Sequence, residues 1–362
     1  MKKGRREEKF LFKNFSELYT PQINFFIKIF FEQKRELAEE DFMKKMSEDL
    51  KNYLLRPGKR IRPLLLIISF LGYQSGPKKI KEIIKLASVL EIMHAFLLIQ
   101  DDIIDKAKER RGEKSFHILM QEKYQYLNFN NNLGKDLGLV LSDVLFANAL
   151  EIINSAKIDL KIKQNFLKIF SVTYEKTAWG QVLDILNSSP RQISLKQEVS
   201  KQISLLKTSH YTIFYPLLMG YILSGKKNKS EQEKIKNFSL PLGLAFQIRD
   251  DILGVFGDRQ KTGKSKDSDL QEGKVTLLIE ETLKHLKGKE KNLFFKILIQ
   301  KNKKKGELKY LKELIVSSQA LKKSKEKHQA LLQEADQHLD GLRISLAAKK
   351  VLRGLLEIVS EM

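Results

Sequence analysis

The sequence predicts an all-α protein, and three observations carry that prediction. Apolar residues recur at three- and four-residue spacing through long segments, alternating period-two runs bounded by turn residues are scarce, and only seven prolines interrupt 362 residues. Turn-forming clusters fall at Pro57-Gly58, Gly72 to Pro77, Asn130 to Gly134, Ser188 to Pro190, Gly225 to Ser230 and Gly254 to Gly273, which leaves helices of ordinary to long length between them. No solenoid period is present. A chain of this size can bury a large core. We expect one domain over residues 1–362, with about the first 45 residues forming a helical extension.

Lys and Arg number 66 against 44 Asp and Glu, a net charge of +22. Such a balance invites a nucleic-acid or anionic-surface reading, but the cations scatter through polar stretches such as GKKNKS and QKNKKKG without the interleaved aromatics of a base-stacking platform. Nucleic acid is therefore not an expected partner; a basic surface suits polyanionic substrates, and a Lys-biased composition explains it as well. With no cysteine in the chain, disulfides, thiolate chemistry and Cys-ligated metals are excluded, and a reducing cytoplasm is the expected location. No apolar run approaches the ~18 residues of a transmembrane segment. The Phe-rich stretch Ile23 to Phe31 (INFFIKIFF) is expected to be a core or subunit-interface helix.

Taken in order, the first element with chemistry is the turn Gly58-Lys59-Arg60-Ile61-Arg62-Pro63, which sets three cations ahead of an apolar helix. The amides at that helix's N-terminus also favour an anion. From Leu86 to Asp105 (LASVLEIMHAFLLIQDDIID) the next helix is apolar almost all round and so is expected to be buried. Its polar exceptions, Glu91, His94, Asp101, Asp102 and Asp105, fall within an arc of about 100°. Carboxylates at i, i+1 and i+4 repel one another unless cations sit between them, and such hard oxygen donors suit Mg²⁺ bridging to a phosphate. Arg110-Arg111-Gly112 follows, offering two planar guanidinium forks to phosphate oxygens, and His117 ends the run.

Further along stand Gly180-Gln181 with Asp184 one turn on, and then Lys207-Thr208 opening KTSHYTIFYPLLMGYILSG. A second acidic helix end, FQIRDDILG, places Gln247, Asp250, Asp251 and Gly254 on one side, followed by a loop that carries Lys264 and Lys274. Gly263-Lys264-Ser265 is not a nucleotide loop, because the spacing to Gly257 is wrong and a helix leads in. Beyond Lys291 the pattern is helical and carries no identifiable chemistry.

Together GKRIRP, DDIID with RRG, GQVLD, KT, FQIRDDILG and EGKVT, in this order, resemble the trans-isoprenyl diphosphate synthases from about Tyr53 to Glu280. The resemblance implies an isoprenoid synthase-type helical bundle around a central cavity, a homodimer, and two Asp-rich motifs facing each other across the cavity mouth. It implies Asp101 and Asp105 as ligands of two Mg²⁺ ions and Asp250 as the ligand of a third, with Mn²⁺ as a substitute ion and Asp102 and Asp251 in support. It assigns Arg110, Lys207, Thr208, Gln247, Lys264 and Lys274 to the allylic diphosphate, and Gly58, Lys59, Arg62, His94 and Arg111 to isopentenyl diphosphate. The implied reaction is ionisation of the allylic diphosphate, attack by the isopentenyl double bond, and loss of a proton to the departed diphosphate.

The chain departs from the family pattern at Gln100, Ser142, Lys106 and Lys108, and at Gly254, which replaces the last acid of the second motif. Product length is expected to depend on side chains below the first motif. Phe96, five residues before Asp101, resembles the floor residue of enzymes making a C20 product, with Met93 further down; a helical wheel places Leu97 nearer the acidic stripe. Geranylgeranyl diphosphate is the expected product, and farnesyl or longer polyprenyl products are the alternatives. A class I terpene cyclase has no need of GKRIRP or Arg111, and a regulatory subunit would have lost acids that both motifs here keep.

Overall fold

The computed structural model describes residues 2–74, 79–110, 112–128, 130–187, 198–257, 267–300 and 302–361. The described chain is helical, as expected, apart from one short hairpin that the sequence did not suggest. Helices α1 (Lys2–Leu37), α2 (Asp41–Leu54), α3 (Ile61–Tyr73) and α4 (Ile80–Ile104) precede strands β1 (Glu109–Arg110) and β2 (Glu113–Lys114). Then come α5 (Phe116–Tyr124), α6 (Leu133–Ser155), α7 (Leu160–Asn187) and α8 (Val199–Ile203), followed directly by a π-helical stretch, Ser204–Phe214. The rest is α9 (Tyr215–Leu223), α10 (Lys229–Phe256), α11 (Ser268–Glu272), α12 (Leu277–His285), α13 (Gly288–Leu298), α14 (Lys305–Ser317), α15 (Ala320–Asp340) and α16 (Leu346–Ser360). No described helix is long and apolar enough to cross a membrane.

The chain forms two compact units, each assembled from separate stretches of sequence. One comprises Met1–Ser171, Tyr215–Asn228 and Arg343–Gly354; the other Val172–Phe214, Lys229–Leu342 and Leu355–Met362.

In the first unit α4 is the central rod, packed by α1, α3 and α6. Its apolar residues, from Ile83 through Leu86, Val89, Ile92 and Met93 to Phe96 and Ile99, are buried, which is why its sequence lacks a polar face. Helix α3 also packs on α9, where Ser69 Oγ donates to the Leu217 carbonyl at 2.6 Å. The Phe-rich stretch of α1 divides: Ile23, Ile27 and Phe31 are buried, whereas Phe25 is 65% exposed. Helix periodicity, more than composition, decides which of these residues enter the core.

In the second unit α10 packs along the π-helical stretch and α15. Ile248, Ile252 and Val255 of α10 form a core with Leu278 and Ile279 of α12, Phe294 of α13 and Leu311 and Ile315 of α14. The C-terminal segment, helical by pattern, thus supplies the wall on which the second acidic helix rests.

Candidate active site

In the first unit Asp101 and Asp102 occupy the last turn of α4 and Asp105 is its C-cap. Asp102 is completely buried. Burial pushes its carboxyl above the usual range, and the Arg110 charge opposes that shift. Arg110 Nε donates to Asp102 Oδ1 at 2.6 Å and its Nη2 to Asp101 Oδ2 at 3.1 Å, so a single guanidinium spans both acids. The hairpin makes this possible. Glu109 pairs with Lys114 and Arg110 with Glu113, and Gly112 at φ 78° supplies the left-handed conformation that the tight turn demands. Arg111 lies outside the described residues.

Beside this pair is a cavity of about 80 Å³, lined by residues that include Tyr53, Arg56, Arg60, His94, Leu98 and Arg110. His94 therefore stands where the acidic stripe predicts, facing the same space as Arg110. Gly58, Lys59 and Arg62 lie in and just after the adjoining turn, with Lys59 exposed and Arg62 on the first turn of α3, but they do not line the cavity.

Sequence reasoning missed what Arg60 does. Of the three cations in GKRIRP it is the buried one, held in the left-handed region at φ 48°. Its guanidinium donates to Glu91 Oε1 at 2.7 Å, to Asn24 Oδ1 at 3.0 Å, and to the carbonyls of Leu54 and Arg56 at 2.8 and 2.9 Å. Glu91, which the helical wheel places on the acidic stripe, is spent on this partner. The available signal was Glu91 among the apolar residues of the middle of α4, since a buried charge requires a buried counter-charge.

Phe96 is fully buried, its ring edge-on to Phe146 of α6 with centroids 5.9 Å apart. Met93 is also fully buried, while Leu97 is half-buried.

In the second unit a relay of hydrogen bonds supports the second acid pair. Thr208 Oγ1 donates to Gln247 Oε1 at 2.7 Å, Gln247 Nε2 donates to Asp251 Oδ1 at 2.7 Å, and the Leu277 amide donates to Asp251 Oδ2 at 2.9 Å. Buried at 3% exposure, the Asp251 carboxyl is pushed up to about 8, chiefly by burial and against these bonds. Its neighbour Asp250 is more exposed. Lys207 pairs with Asp184 at 2.7 Å. Two close approaches bring the partners together: a Cβ on Gly180 would stand 2.9 Å from the Lys207 amide nitrogen, and one on Gly243 2.5 Å from Ser209. The π-helical widening at 204–214, a feature that often marks functional sites, places Lys207 and Thr208 on successive positions toward these partners.

Gly254 has a local reason. A Cβ there would lie 2.1 Å from Asp269 Oδ2, so the carboxylate of Asp269 on α11 fills the space that a side chain at this position would need. Lys274 pairs with Glu272 at 2.9 Å. Lys264 lies outside the described residues.

A scan against family models matches residues 44–315 to the polyprenyl synthetase model. The chain belongs to the polyprenyl synthetase family. As a member it is a prenyltransferase. It is 30% identical over 298 residues to a short chain isoprenyl diphosphate synthase of Methanocaldococcus jannaschii, covering 78% of this chain and 84% of that one. It is 33% identical over 261 residues to a geranylgeranyl diphosphate synthase of Saccharolobus solfataricus, covering 71% and 72%. Among solved structures it resembles a Corynebacterium glutamicum geranylgeranyl pyrophosphate synthase, complexed with isoprenyl diphosphate and magnesium, at a TM-score of 0.87 and 26% identity over 96% of this chain and 98% of that one.

The acids of this synthetase fit magnesium in a particular way. No three or more Asp, Glu, His or Cys among the described residues form a ready-made metal cage. Mg²⁺ does not require one, since it commonly takes one or two carboxylates and completes its shell with phosphate and water oxygens. Asp101, Asp105 and Asp250 are hard donors of that kind, each partly accessible.

Proposed function

We propose that this synthetase joins isopentenyl diphosphate to an allylic diphosphate and releases geranylgeranyl diphosphate. The observation that carries this reading is Arg110 bridging Asp101 and Asp102 beside a cavity lined by His94. Cations and hard acids are assembled there for a diphosphate, which either alone would not hold.

Asp101, Asp105 and Asp250 hold Mg²⁺, or Mn²⁺ in its place. When bound, the metal neutralises charge on the leaving diphosphate. Asp102 and Asp251 support these ligands. Arg110, Lys207, Thr208, Gln247, Lys264 and Lys274 donate to the allylic diphosphate, favouring the charge that develops as its C–O bond breaks. Gly58, Lys59, Arg62, His94 and Arg111 hold isopentenyl diphosphate with its double bond toward the allylic carbon. The greasy sides of α4 keep water from the allylic cation, and the departed diphosphate accepts the final proton. Phe96, backed by Phe146, ends the space for the growing tail.

A homodimer is part of this proposal. Helix α6 exposes Leu139, Val140, Val144 and Leu150, and α7 exposes Trp179, Val182 and Leu186, apolar side chains of a kind that a second copy would cover. The enzyme acts in the cytoplasm.

Labelled isopentenyl diphosphate, offered with C5, C10 or C15 primers and Mg²⁺ and followed by chain-length analysis, tests the function. A C20 diphosphate from each primer is expected. Hydrocarbon released from farnesyl diphosphate alone would make the protein a cyclase instead.

A further inference from the structure

In the lysine-rich run QKNKKKG, Lys304 and Lys305 are exposed, whereas Lys303 keeps only 7% exposure. It stands between α13 and α14, and its Nζ donates to the Gln300 carbonyl at 2.7 Å and to the Gln271 carbonyl at 3.1 Å. Gln271 returns the contact, its Nε2 donating to the Lys303 carbonyl at 3.3 Å. One ammonium is thus shared by the C-terminal turn of α11 and the chain just past α13, places where backbone carbonyls lack helical partners and attract a cation. Burial disfavours the charged amine and lowers its pKa, with the Glu307 charge opposing, and the two carbonyls offset part of that cost.

The clamped turn carries a site residue. Gly273, at φ 70°, reverses the chain after α11 and sits so close to α13 that a Cβ on it would stand 2.6 Å from the Leu298 carbonyl oxygen. Lys274 follows at once, its amide donating to the Asp269 carbonyl at 3.1 Å, and three residues on the Leu277 amide donates to Asp251. The turn therefore leads into the second acid pair. Its flanks are held separately: Asp267, ahead of α11, meets Lys312, and Ser200 Oγ donates to the Val275 carbonyl at 2.6 Å. Lys303 fixes the stretch between them.

We propose that Lys303 is a positioning residue for Lys274, holding the 271–274 turn against the end of α13 so that the Lys274 ammonium is placed to meet the allylic diphosphate. That role rests on the function proposed above, which gives Lys274 this contact. Lys274 and its partner Glu272 both belong to the clamped turn, so the position of the turn sets where the charge stands. A residue needed only to fill the space would be apolar, because an enclosed ammonium costs more than a methylene chain. Lysine instead supplies donors to two carbonyls from different helix ends, which a methionine of similar length cannot do.

A double-mutant cycle in steady-state kinetics tests this, using wild type, Lys303→Met, Lys274→Met and the double variant, with each substrate varied in turn below the melting temperature of every variant. Lys303→Met should lower kcat/KM for the allylic diphosphate about fivefold, the scale of one charge-assisted hydrogen bond made poorly, and leave KM for isopentenyl diphosphate near wild type. Lys274→Met should lower the allylic kcat/KM by at least as much, and adding Lys303→Met to it should change that value no further. Lys303→Gln, which keeps donors for one carbonyl, should recover part of the loss, and it takes the place of Lys303→Met in the cycle if that variant does not fold.

An unchanged allylic kcat/KM in Lys303→Met and Lys303→Gln, with an active wild type, overturns the positioning role and leaves the proposed function standing. An equal loss with and without Lys274 overturns it too, since Lys303 would then act on the fold at large, and a rise in KM for both substrates has the same meaning. Wild-type allylic kinetics in Lys274→Met would remove the contact through which Lys303 acts. A wild type that incorporates no label removes the function and the positioning role together.

Discussion

Arg60 and Glu91 form a buried ion pair whose value lies in what happens when half of it is removed. Arg60→Met leaves Glu91 charged and enclosed, a situation that costs about 3–5 kcal/mol. Thermal or denaturant unfolding should show that loss, and Arg60→Met with Glu91→Leu should recover most of it. Gly254 makes a steric claim of the same directness. Gly254→Ala drives a methyl group into Asp269 and should destabilise by about 1–3 kcal/mol, as overpacking does, with relief when Asp269→Ser is added. A Gly254→Ala variant as stable as wild type would show that α11 moves aside freely. Both residues show where sequence reading stops. The placement of Asp101, Asp102 and His94 could be read from their spacing on one helix, whereas Lys207-Thr208 stood out only beside the other motifs. Arg60 was not distinguishable from Lys59 and Arg62, because burial belongs to the three-dimensional neighbourhood and a left-handed backbone at Arg60 has no signature in its side chain.

At the scale of elements, α4 was the most readable: an apolar rod that ends in acids must be buried and must meet cations. Which of its residues limits product length was not readable, since the wheel points to Leu97 while the structure seats Phe96 against Phe146. Phe96→Ala should give products at least one isoprene unit longer, read by chromatography, with folding checked by melting temperature because the vacated space costs about 3–5 kcal/mol. Unchanged product length would return the role to Leu97 or Met93. The hairpin was missed because two-residue strands leave no alternation to detect, and the π-helical stretch because i→i+5 bonding has no periodic signal in so short a segment. That stretch carries a pH dependence of its own. Burial, with Lys176 and Lys236 adding, lowers His210 to about 4. Below the unfolded value of about 6.5 the unfolded chain takes up a proton that the folded chain refuses until pH falls to about 4. Stability should accordingly decline as pH falls through that window, and His210→Phe should flatten the decline in melting temperature. An identical slope in the variant would place the effect in other groups.

For the whole molecule the legible part was the class and the family: an all-helical prenyltransferase whose motifs keep their order across most of the chain. Less legible was the division into two compact units, each gathered from distant stretches: one boundary, Asn228 to Lys229, falls in the turn cluster Gly225 to Ser230, but those at Ser171 to Val172 and Phe214 to Tyr215 lie in continuous helical stretches with no turn signal. Each unit holds one acid pair with its own supporting network, Arg110 for the first and the Thr208, Gln247 and Leu277 relay for the second. The account requires both pairs in a single metal-dependent reaction. Its most direct test is the rate of label incorporation from isopentenyl and farnesyl diphosphates in wild type, Asp101→Asn and Asp250→Asn, each with Mg²⁺ and after chelation. Loss of at least about a hundredfold in either variant, with melting temperature preserved, and silence without metal are the predicted results. Full turnover by Asp250→Asn, or wild-type incorporation that survives chelation, would contradict it.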